Sequence, residues 1–113
     1  YATHEEIAIA YNAADVFIYP SSYEGFGMPV LEAMACGAAV ITLNNTAFPE
    51  FSSGVAWLLE DAEVNTLAKA ISDLIADEDE RARMRIEGPI RAAGYDWSVI
   101  AQRYIGMICS VVK

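Results

Sequence analysis

The sequence predicts an α/β fold with about three parallel strands and flanking helices. Short apolar runs of strand length alternate with segments of helical period, and glycine or proline turns separate them. The runs are too apolar for a sheet with one solvated face, which favours a parallel sheet covered by helices on both faces. With 113 residues, 55% of them hydrophobic, the chain can form one domain at most.

The chain opens with a predicted helix followed by a predicted strand. Thr3, with Glu6 three positions later, forms a capping box, so a helix is expected over 3–13. Asp15–Tyr19 is β-branched and aromatic and stops at Pro20, which is typical of a buried strand. The first helix therefore leads directly into the sheet.

A glycine-rich turn and a second helix come next. The turn is Ser21–Met28, and Pro29 is well placed in the first turn of the helix that follows it. Gly37 is predicted to end that helix as a left-handed cap. Ala38–Leu43 then has the length and apolar composition of a second buried strand.

The remaining sequence predicts a weaker third strand and then only helices. The strand is Gly54–Leu59, with no helix expected between it and the second strand. An apolar stripe over 64–75 predicts a helix that ends in the acidic run Asp77–Glu80. The stripe consists of Val64, Leu67, Ala68, Ile71, Leu74 and Ile75.

Two further helices complete the chain. The first spans Glu78–Glu87 and is expected to stop at Gly88-Pro89, because proline disfavours a helix interior. The last lies near Trp97–Val111, with Ser98 as its expected cap. The residues expected to face inward on it are Val99, Ile100, Tyr104, Met107 and Ile108.

The charge distribution argues against nucleic acid or an anionic membrane surface as a partner. The formal net charge is −9, and residues 1–68 contain no Lys or Arg at all. If this region binds phosphate, backbone amides must do so, and any cation must come from elsewhere.

Cysteine, histidine and hydropathy patterns exclude several other classes of site. Cys36 and Cys109 have no CxxC spacing, so free and largely buried thiols in a reducing compartment are expected, with Cys36 in the core. His4 has no second ligand nearby and is expected on a helix surface. No apolar run reaches the length of about 18 residues that a membrane span needs. We expect a cytoplasmic protein, whose longer form could sit peripherally at a membrane.

The stretch 20–37 carries the functional signal. It places Glu24 and Glu32 eight positions apart, around a glycine turn that opens into a helix after a strand. Unpaired backbone N–H groups converge at a helix N-terminus, which makes an anion site. Two carboxylates beside such a site fit a ligand with anionic and hydroxyl-rich parts, such as a nucleotide-sugar.

The residue types suggest how such a ligand would be divided. Gly25 and Gly27 allow the backbone to turn and to approach a ligand closely. Amides of Phe26–Met28 could point at a diphosphate. A carboxylate accepts two hydrogen bonds, so Glu32 suits the vicinal diol of a ribose, and Glu24 would meet the other end of the ligand.

These residues resemble the E-x7-E motif of retaining GT-B glycosyltransferases of family 4, also called glycosyl transferases group 1. The matching residues are Pro20-Ser21, Glu24-Gly25-Phe26-Gly27, Glu32-Ala33-Met34-Ala35 and Gly37. The similarity extends to Tyr11–Phe17 before the motif, to the Pro49-Glu50 turn and to Tyr95–Ser98. It therefore covers nearly the whole chain.

The resemblance implies a fold, a reaction and a set of site residues. Residues 1–113 would be a single partial domain, the C-terminal, Rossmann-like, nucleotide-sugar-binding half of a two-domain GT-B enzyme. Glu24 would be the catalytic carboxylate, contacting donor-sugar hydroxyls and stabilising an oxocarbenium-like transition state, and Glu32 would hold the ribose. The sugar would pass to a sugar, lipid or glycan acceptor with retention, without a metal or other cofactor. The implied donor-binding set is Ser21, Glu24, Gly25, Phe26, Gly27, Met28 and Glu32.

The chain also departs from the family pattern. Ala39 stands where the family has proline, and the upstream Arg and Lys that neutralise the diphosphate are absent before Lys69. No Met precedes Tyr1, and the chain begins within a predicted helix, so we expect a fragment of a longer protein. Such a fragment should be inactive alone, and it should either self-associate through the exposed edge of the strand Asp15–Tyr19 or be marginally stable.

Two alternatives remain open at this point. A glycosidase also uses paired carboxylates, but those face each other across a cleft rather than flanking a glycine turn. A non-catalytic GT-B-like scaffold or sugar-nucleotide-binding domain would keep the fold without the reaction. An upstream Arg/Lys pair would favour the enzyme over the scaffold.

Overall fold

A computed structural model describes residues 1–112 and has the predicted α/β architecture, with three strands and flanking helices. The helices and strands alternate along the first half of the chain, and three helices follow. In chain order they are α1 (His4–Ala13), β1 (Phe17–Tyr19), α2 (Met28–Ala35), β2 (Val40–Leu43), α3 (Phe48–Ser52), β3 (Trp57–Leu59), α4 (Val64–Ala76), α5 (Glu78–Ala93) and α6 (Trp97–Val111).

The three strands form one parallel sheet in the order β1-β2-β3, as the apolar runs predicted. Ile18 of β1 pairs with Ile41 of β2, and Ile41 pairs with Trp57 of β3. Each strand is shorter than the apolar run that predicted it. The free edge of β1 is therefore only three residues long, rather than the five of Asp15–Tyr19.

The sheet is covered on both faces, which confirms the prediction from strand composition. All four residues of β2 are buried, and alternate side chains enter two separate cores. Val40 packs with residues of α2 and α3, whereas Ile41 and Leu43 pack with residues of α4. Burial from both sides explains why the strands are apolar throughout instead of alternating.

The predicted ends of the first two helices are confirmed. The Thr3 N–H donates to Glu6 Oε2 at 2.7 Å, and the Glu6 N–H donates to Thr3 Oγ1 at 3.2 Å, which completes the capping box of α1. Gly37 follows α2 with a φ of 76°, the left-handed conformation that a glycine cap provides.

The short helix α3 was not predicted, and the expected direct succession of two strands is wrong. Five residues are too few to show a helical period in the sequence. Burial explains the helix, since Phe48 and Phe51 are completely buried and the Ser52 hydroxyl donates to the Phe48 carbonyl at 2.6 Å. The crossover between β2 and β3 therefore contains a helix, as parallel strands require.

The predicted stop at Gly88-Pro89 is also wrong, because α5 continues through both residues to Ala93. Met84, Gly88 and Ala92 form its buried stripe, which spans the proline. A Cβ on Gly88 would lie 2.9 Å from the Met34 carbonyl oxygen, so α5 packs directly on the backbone of α2. This packing outweighs the hydrogen bond that Pro89 cannot make.

The boundaries of α6 are as predicted, but its cap and its inward face are not. Asp96 is the cap, with its carboxylate accepting from the Ser98 N–H at 2.8 Å, so Ser98 lies inside the helix. No residue of α6 is buried. Tyr104, Met107 and Ile108 were expected inside and are exposed, and Val99 and Ile100 are only half-buried.

The thiols are less buried than predicted. Cys36, at the end of α2, is half-buried, and Cys109 on α6 is exposed, although both are free as expected. The prediction of a surface position for His4 is confirmed. No helix within residues 1–112 is long and apolar enough to cross a bilayer.

Candidate functional site

Three loops leave the carboxyl ends of the parallel strands at one edge of the sheet. They span 20–27 after β1, 44–47 after β2 and 60–63 after β3. Asn44 Nδ2 donates to Glu60 Oε1 at 2.8 Å, which ties the second loop to the third. In open parallel sheets this edge is where ligands bind.

The turn after β1 is shaped by aromatic residues beneath it. Gly27 has a φ of 89°, and a Cβ there would lie 2.3 Å from Cε1 of the buried Phe48, so no other residue fits. The Phe26 ring stacks on Phe51 with centroids 4.9 Å apart. Both aromatic supports come from α3, so this helix fixes the position of the turn.

The backbone of this turn presents a run of free donors. Within the part of the chain that the structure describes, no N–H from Ser21 to Met28 donates to a protein acceptor. Gly27 caps α2 without a side-chain hydrogen bond, while Val30 donates back to the Gly27 carbonyl at 3.0 Å. The amides of residues 25–28 therefore have no protein acceptor, although Gly27 is buried, and they lie at a helix N-terminus, where an anion is favoured.

Glu24 is held by two hydroxyl groups on the same oxygen. The Tyr19 hydroxyl donates to Glu24 Oε1 at 2.7 Å, and Ser21 Oγ lies 2.9 Å from the same atom. The hydrogen bond to Glu24, with burial second, raises the pKa of the Tyr19 phenol, which therefore remains protonated at neutral pH. Glu24 is half-buried, and its Oε2 has no protein donor among residues 1–112.

Glu32 lies on α2 with its side chain exposed between two shallow clefts. One cleft, of about 230 Å³, is shared with Tyr11 and Cys36 of the α1 side. The other, of about 370 Å³, is shared with Tyr95 and Trp97 on the α5–α6 side. Burial and then the negative charge of Glu32 raise the pKa of both the Tyr11 phenol and the Cys36 thiol.

The remaining predicted residues are distributed around these two carboxylates. Ser21 turns its hydroxyl toward Glu24, and Gly25 has no atom within 4 Å of where a Cβ would stand. Met28 is the first residue of α2 and is 41% exposed. Along the chain, Glu24 therefore directly precedes the segment that carries the free amides, and Glu32 follows it about one turn into α2.

Among the described residues, no Lys or Arg forms an ion pair with Glu24 or Glu32. Four arginines of α5 donate to backbone carbonyls elsewhere: Arg81 to Leu74, Arg83 to Gly54, Arg85 to Ala14, and Arg91 to Phe51 and Ser53. Lys69 pairs with Asp73 on α4. Arg83, Arg85 and Arg91 therefore connect α5 to distant parts of the fold, whereas Lys69 forms an exposed pair within α4.

A larger surface hollow lies away from the motif, at the junction of α4 and α5. Its volume is about 570 Å³, and its lining includes Asp73, Asp77, Glu78 and Asp79. Carboxylates alone repel a diphosphate, so this hollow does not suit an anionic ligand. Within residues 1–112, no group of three or more His, Cys, Asp or Glu side chains could hold a metal ion.

Two contributors to this site were missed in the sequence. Tyr19 was interpreted only as part of a buried strand, and Phe48 was assigned no role. The available signal was the hydroxyl of a tyrosine at the last position of the strand, directly before the motif. Phe48 gave no such signal, because its contact with Gly27 depends on the tertiary fold.

Comparison with known proteins identifies the family. Residues 1–91 match the family described as glycosyl transferases group 1. The chain belongs to this family. The predicted family is thereby confirmed, and the fold is that of the C-terminal domain of GT-B enzymes.

Curated relatives from several bacteria are similar to most of this chain. O-antigen chain mannosyltransferase B of Escherichia coli is 34% identical over 97 residues, which is 86% of this chain and 26% of that relative. D-inositol 3-phosphate glycosyltransferase of Corynebacterium urealyticum is 33% identical over 111 residues, 95% of this chain and 26% of that relative. The chain spans about a quarter of the length of these relatives.

A solved structure supports the same assignment. The chain superposes on sucrose-phosphate synthase from Thermosynechococcus elongatus with a TM-score of 0.85 and 30% sequence identity. The match covers 97% of this chain and 28% of that protein. The three-stranded sheet and its helices therefore correspond to one part of a larger glycosyltransferase fold.

Proposed function

We propose that this chain is the donor-binding part of a retaining glycosyltransferase that uses a nucleotide-diphosphate sugar. One observation carries the proposal: in the turn that leaves the carboxyl end of β1, the amides of residues 25–28 have no protein acceptor, and along the chain they lie between two carboxylates, Glu24 and Glu32. Free amides suit a diphosphate, and carboxylates suit the hydroxyl groups of the sugars attached at either end. Membership of the glycosyltransferase family supports the reaction class.

Each group has a distinct role in this proposal. The amides of Gly25–Met28 bind the diphosphate, helped by the dipole of α2. Glu32 accepts hydrogen bonds from the ribose diol, and Glu24 binds donor-sugar hydroxyls and stabilises positive charge on the anomeric carbon. The departing phosphate helps to deprotonate the acceptor on the same face, which preserves the anomeric configuration.

The chain supplies only part of the machinery that this reaction needs. The acceptor-binding domain and the cations that neutralise the diphosphate would come from a longer polypeptide, since the matches cover only 26% of each of these relatives. We propose that no metal takes part. Transfer by the complete polypeptide should then be unchanged by a chelator, whereas the 113-residue chain alone should be inactive.

Ligand binding tests the assignment of the two carboxylates. Saturation-transfer NMR on the complete polypeptide should detect a nucleotide-sugar and the matching free nucleoside diphosphate. Glu32→Gln should weaken both ligands about tenfold, because each contains the ribose. Glu24→Gln should spare the free diphosphate and lower transfer by a factor of about 100 to 1,000. Glu5→Gln, at an exposed position on α1, is the matched control and should change neither.

Two results would count against the proposal. Failure of the complete polypeptide to bind any nucleotide would remove the donor site. Binding without transfer to any acceptor would favour the non-catalytic alternative. Retention is tested separately, by determining with NMR whether the product keeps the anomeric configuration of the donor.

A further inference from the structure

The side chain of Tyr19 connects the sheet to the motif. Its ring stacks against Phe17 at 6.1 Å and meets Phe48 edge-on at 6.0 Å, so the phenol is fixed by packing at the end of β1. Its hydroxyl then donates to Glu24 Oε1 at 2.7 Å, the short distance of a hydrogen bond to a charged acceptor. The aromatic packing and the hydrogen bond lie on the same rigid group.

We propose that Tyr19 is a positioning residue that holds the Glu24 carboxylate with Oε2 directed to the donor sugar. This inference rests on the proposed function, in which Glu24 serves the sugar end of the ligand. Tyr19 and Ser21 both occupy Oε1, which leaves Oε2 without a protein partner. One oxygen is therefore fixed by the protein, and the other is free for the ligand.

Ser21 cannot perform this role alone. Its hydroxyl lies 2.9 Å from Glu24 Oε1 but also 3.3 Å from the Tyr23 carbonyl oxygen, and a hydroxyl has one proton to give. The Tyr19 hydroxyl has no other acceptor among the described residues. The Tyr19 hydroxyl therefore donates to Glu24 alone. Without it, Glu24 would keep only the hydrogen bond from Ser21, whose proton the Tyr23 carbonyl can also accept.

The support for Tyr19 extends into the sheet. The Tyr19 carbonyl accepts from Thr42 Oγ1 at 2.8 Å, and Thr42 of β2 is only 1% exposed. A buried hydroxyl therefore fixes the end of β1 from the neighbouring strand. Contacts therefore run from Thr42 through Tyr19 to Glu24. They hold the Glu24 carboxylate in a fixed position relative to the sheet, although Glu24 itself lies on a loop.

Kinetics of the complete polypeptide provide the first test. Tyr19→Phe keeps the ring and removes the hydroxyl, and should lower kcat about tenfold, the effect of one hydrogen bond worth about 1.4 kcal/mol. The Kd of free nucleoside diphosphate should stay within about twofold, because that ligand lacks the sugar that Glu24 binds. Tyr23→Phe is the matched control, since Tyr23 is in the same loop, 83% exposed, and its hydroxyl contacts no described residue.

A double substitution tests whether Tyr19 acts through Glu24. Once Glu24→Gln has removed the carboxylate, adding Tyr19→Phe should cost less than about twofold more. The proposal would be overturned if the two substitutions lowered kcat independently, so that their fold-losses multiplied in the double variant. An unchanged kcat in Tyr19→Phe would also overturn it. Thermal unfolding of each variant identifies any loss that comes from instability.

A tyrosine titration gives a readout that does not need activity. In protein carrying ¹³C-labelled tyrosine, the Tyr19 signal, identified by its loss in Tyr19→Phe, should titrate above the usual pKa of 10.0. Glu24→Gln should lower that pKa, because the acceptor loses its charge. An unchanged Tyr19 pKa in Glu24→Gln would refute the contact. If the Tyr19 pKa is raised and falls in Glu24→Gln as expected, but the polypeptide transfers no sugar, the contact stands and the proposed function is refuted instead.

Discussion

Two glycines of one turn differ in what they require from the structure. Gly27 has a left-handed backbone and touches Phe48, so both its conformation and its surroundings exclude a side chain. Gly25 has neither constraint, and the space around it is open. The fold therefore explains the first glycine, whereas it places no constraint on the second, which is consistent with the proposal that a diphosphate approaches the backbone there.

Alanine substitution should mainly lower the stability of the fold at Gly27 and mainly weaken ligand binding at Gly25. Gly27→Ala should lower the free energy of unfolding by about 2–4 kcal/mol, from a strained backbone and a steric conflict with Phe48. Gly25→Ala should change it by less than about 1 kcal/mol, and yet weaken the binding of nucleoside diphosphate. Urea unfolding and ligand titration measure the two effects, and equal losses of stability would contradict this explanation.

Some individual residues of the candidate site could be predicted from the sequence, and others could not. Glu24, Glu32 and the glycine turn could be predicted as site residues because they lie in one short continuous motif, and this prediction remains to be tested. The link from Tyr19 to Glu24 could not, because an aromatic residue in an apolar strand normally indicates burial alone. Polar tips on core aromatics become visible only when the fold brings an acceptor to them.

Among the helices and strands, local signals predicted the first half of the chain better than the second. The capping box of α1 and the left-handed Gly37 act within a few residues, so sequence was sufficient. The predicted stop of α5 at Gly88-Pro89 was wrong because the hydrogen bond lost at proline is a local cost, whereas the stabilising contacts of α5 are with residues distant in sequence. Gly88 packs on the Met34 backbone, and that contact belongs to the tertiary fold.

Glycine-to-alanine changes in two helix interiors should differ in sign. Gly88→Ala should destabilise the protein by about 1–3 kcal/mol, because its Cβ would force α5 away from α2. Gly106→Ala in α6 meets nothing within 4 Å and should stabilise by up to about 1 kcal/mol through helix propensity. Urea unfolding of both variants is the measurement. A stabilising Gly88→Ala would show that the two helices do not pack closely.

Acid should remove a small contribution made by the ion pair on α5. Arg83 donates to Glu80 through two nitrogen atoms, at 2.6 and 2.8 Å, and these hydrogen bonds lower the pKa of Glu80 below its ordinary value of 4.5. Because the pKa of Glu80 is lower in the folded state, its ionised carboxylate stabilises the fold at pH values above its ordinary pKa. This stabilisation is lost as the pH falls through the pKa of the folded state.

Comparison with Glu80→Gln measures this contribution. The parent should be more stable near pH 6 by less than about 1 kcal/mol, since the Arg83 and Glu80 side chains are 36% and 31% exposed and solvent screens the pair. The difference should shrink as the pH falls below 4.5. A difference that stays constant down to pH 3 would show that the carboxylate charge does not matter.

The whole molecule is more extended than a compact domain of its length. Its radius of gyration is 15.6 Å, against about 13 Å expected for 113 residues. The cause is α6, which buries no residue while Trp97, Ile105 and Val111 are exposed. An apolar stripe in the sequence indicates a helix with a packing face, but it cannot say what that face contacts, so its inward residues were predicted wrongly.

Self-association is the prediction that belongs to this scale. The outer edge of β1 has no partner strand within residues 1–112, so its backbone groups are free to pair with a second chain. Light scattering of the 113-residue chain should give a mass above 12.3 kDa that rises with concentration. A chain shortened to end at Asp96 should still associate if the sheet edge is responsible, because β1 remains intact. Loss of association on shortening would assign it to α6 instead, and a monodisperse monomer in both cases would contradict the prediction.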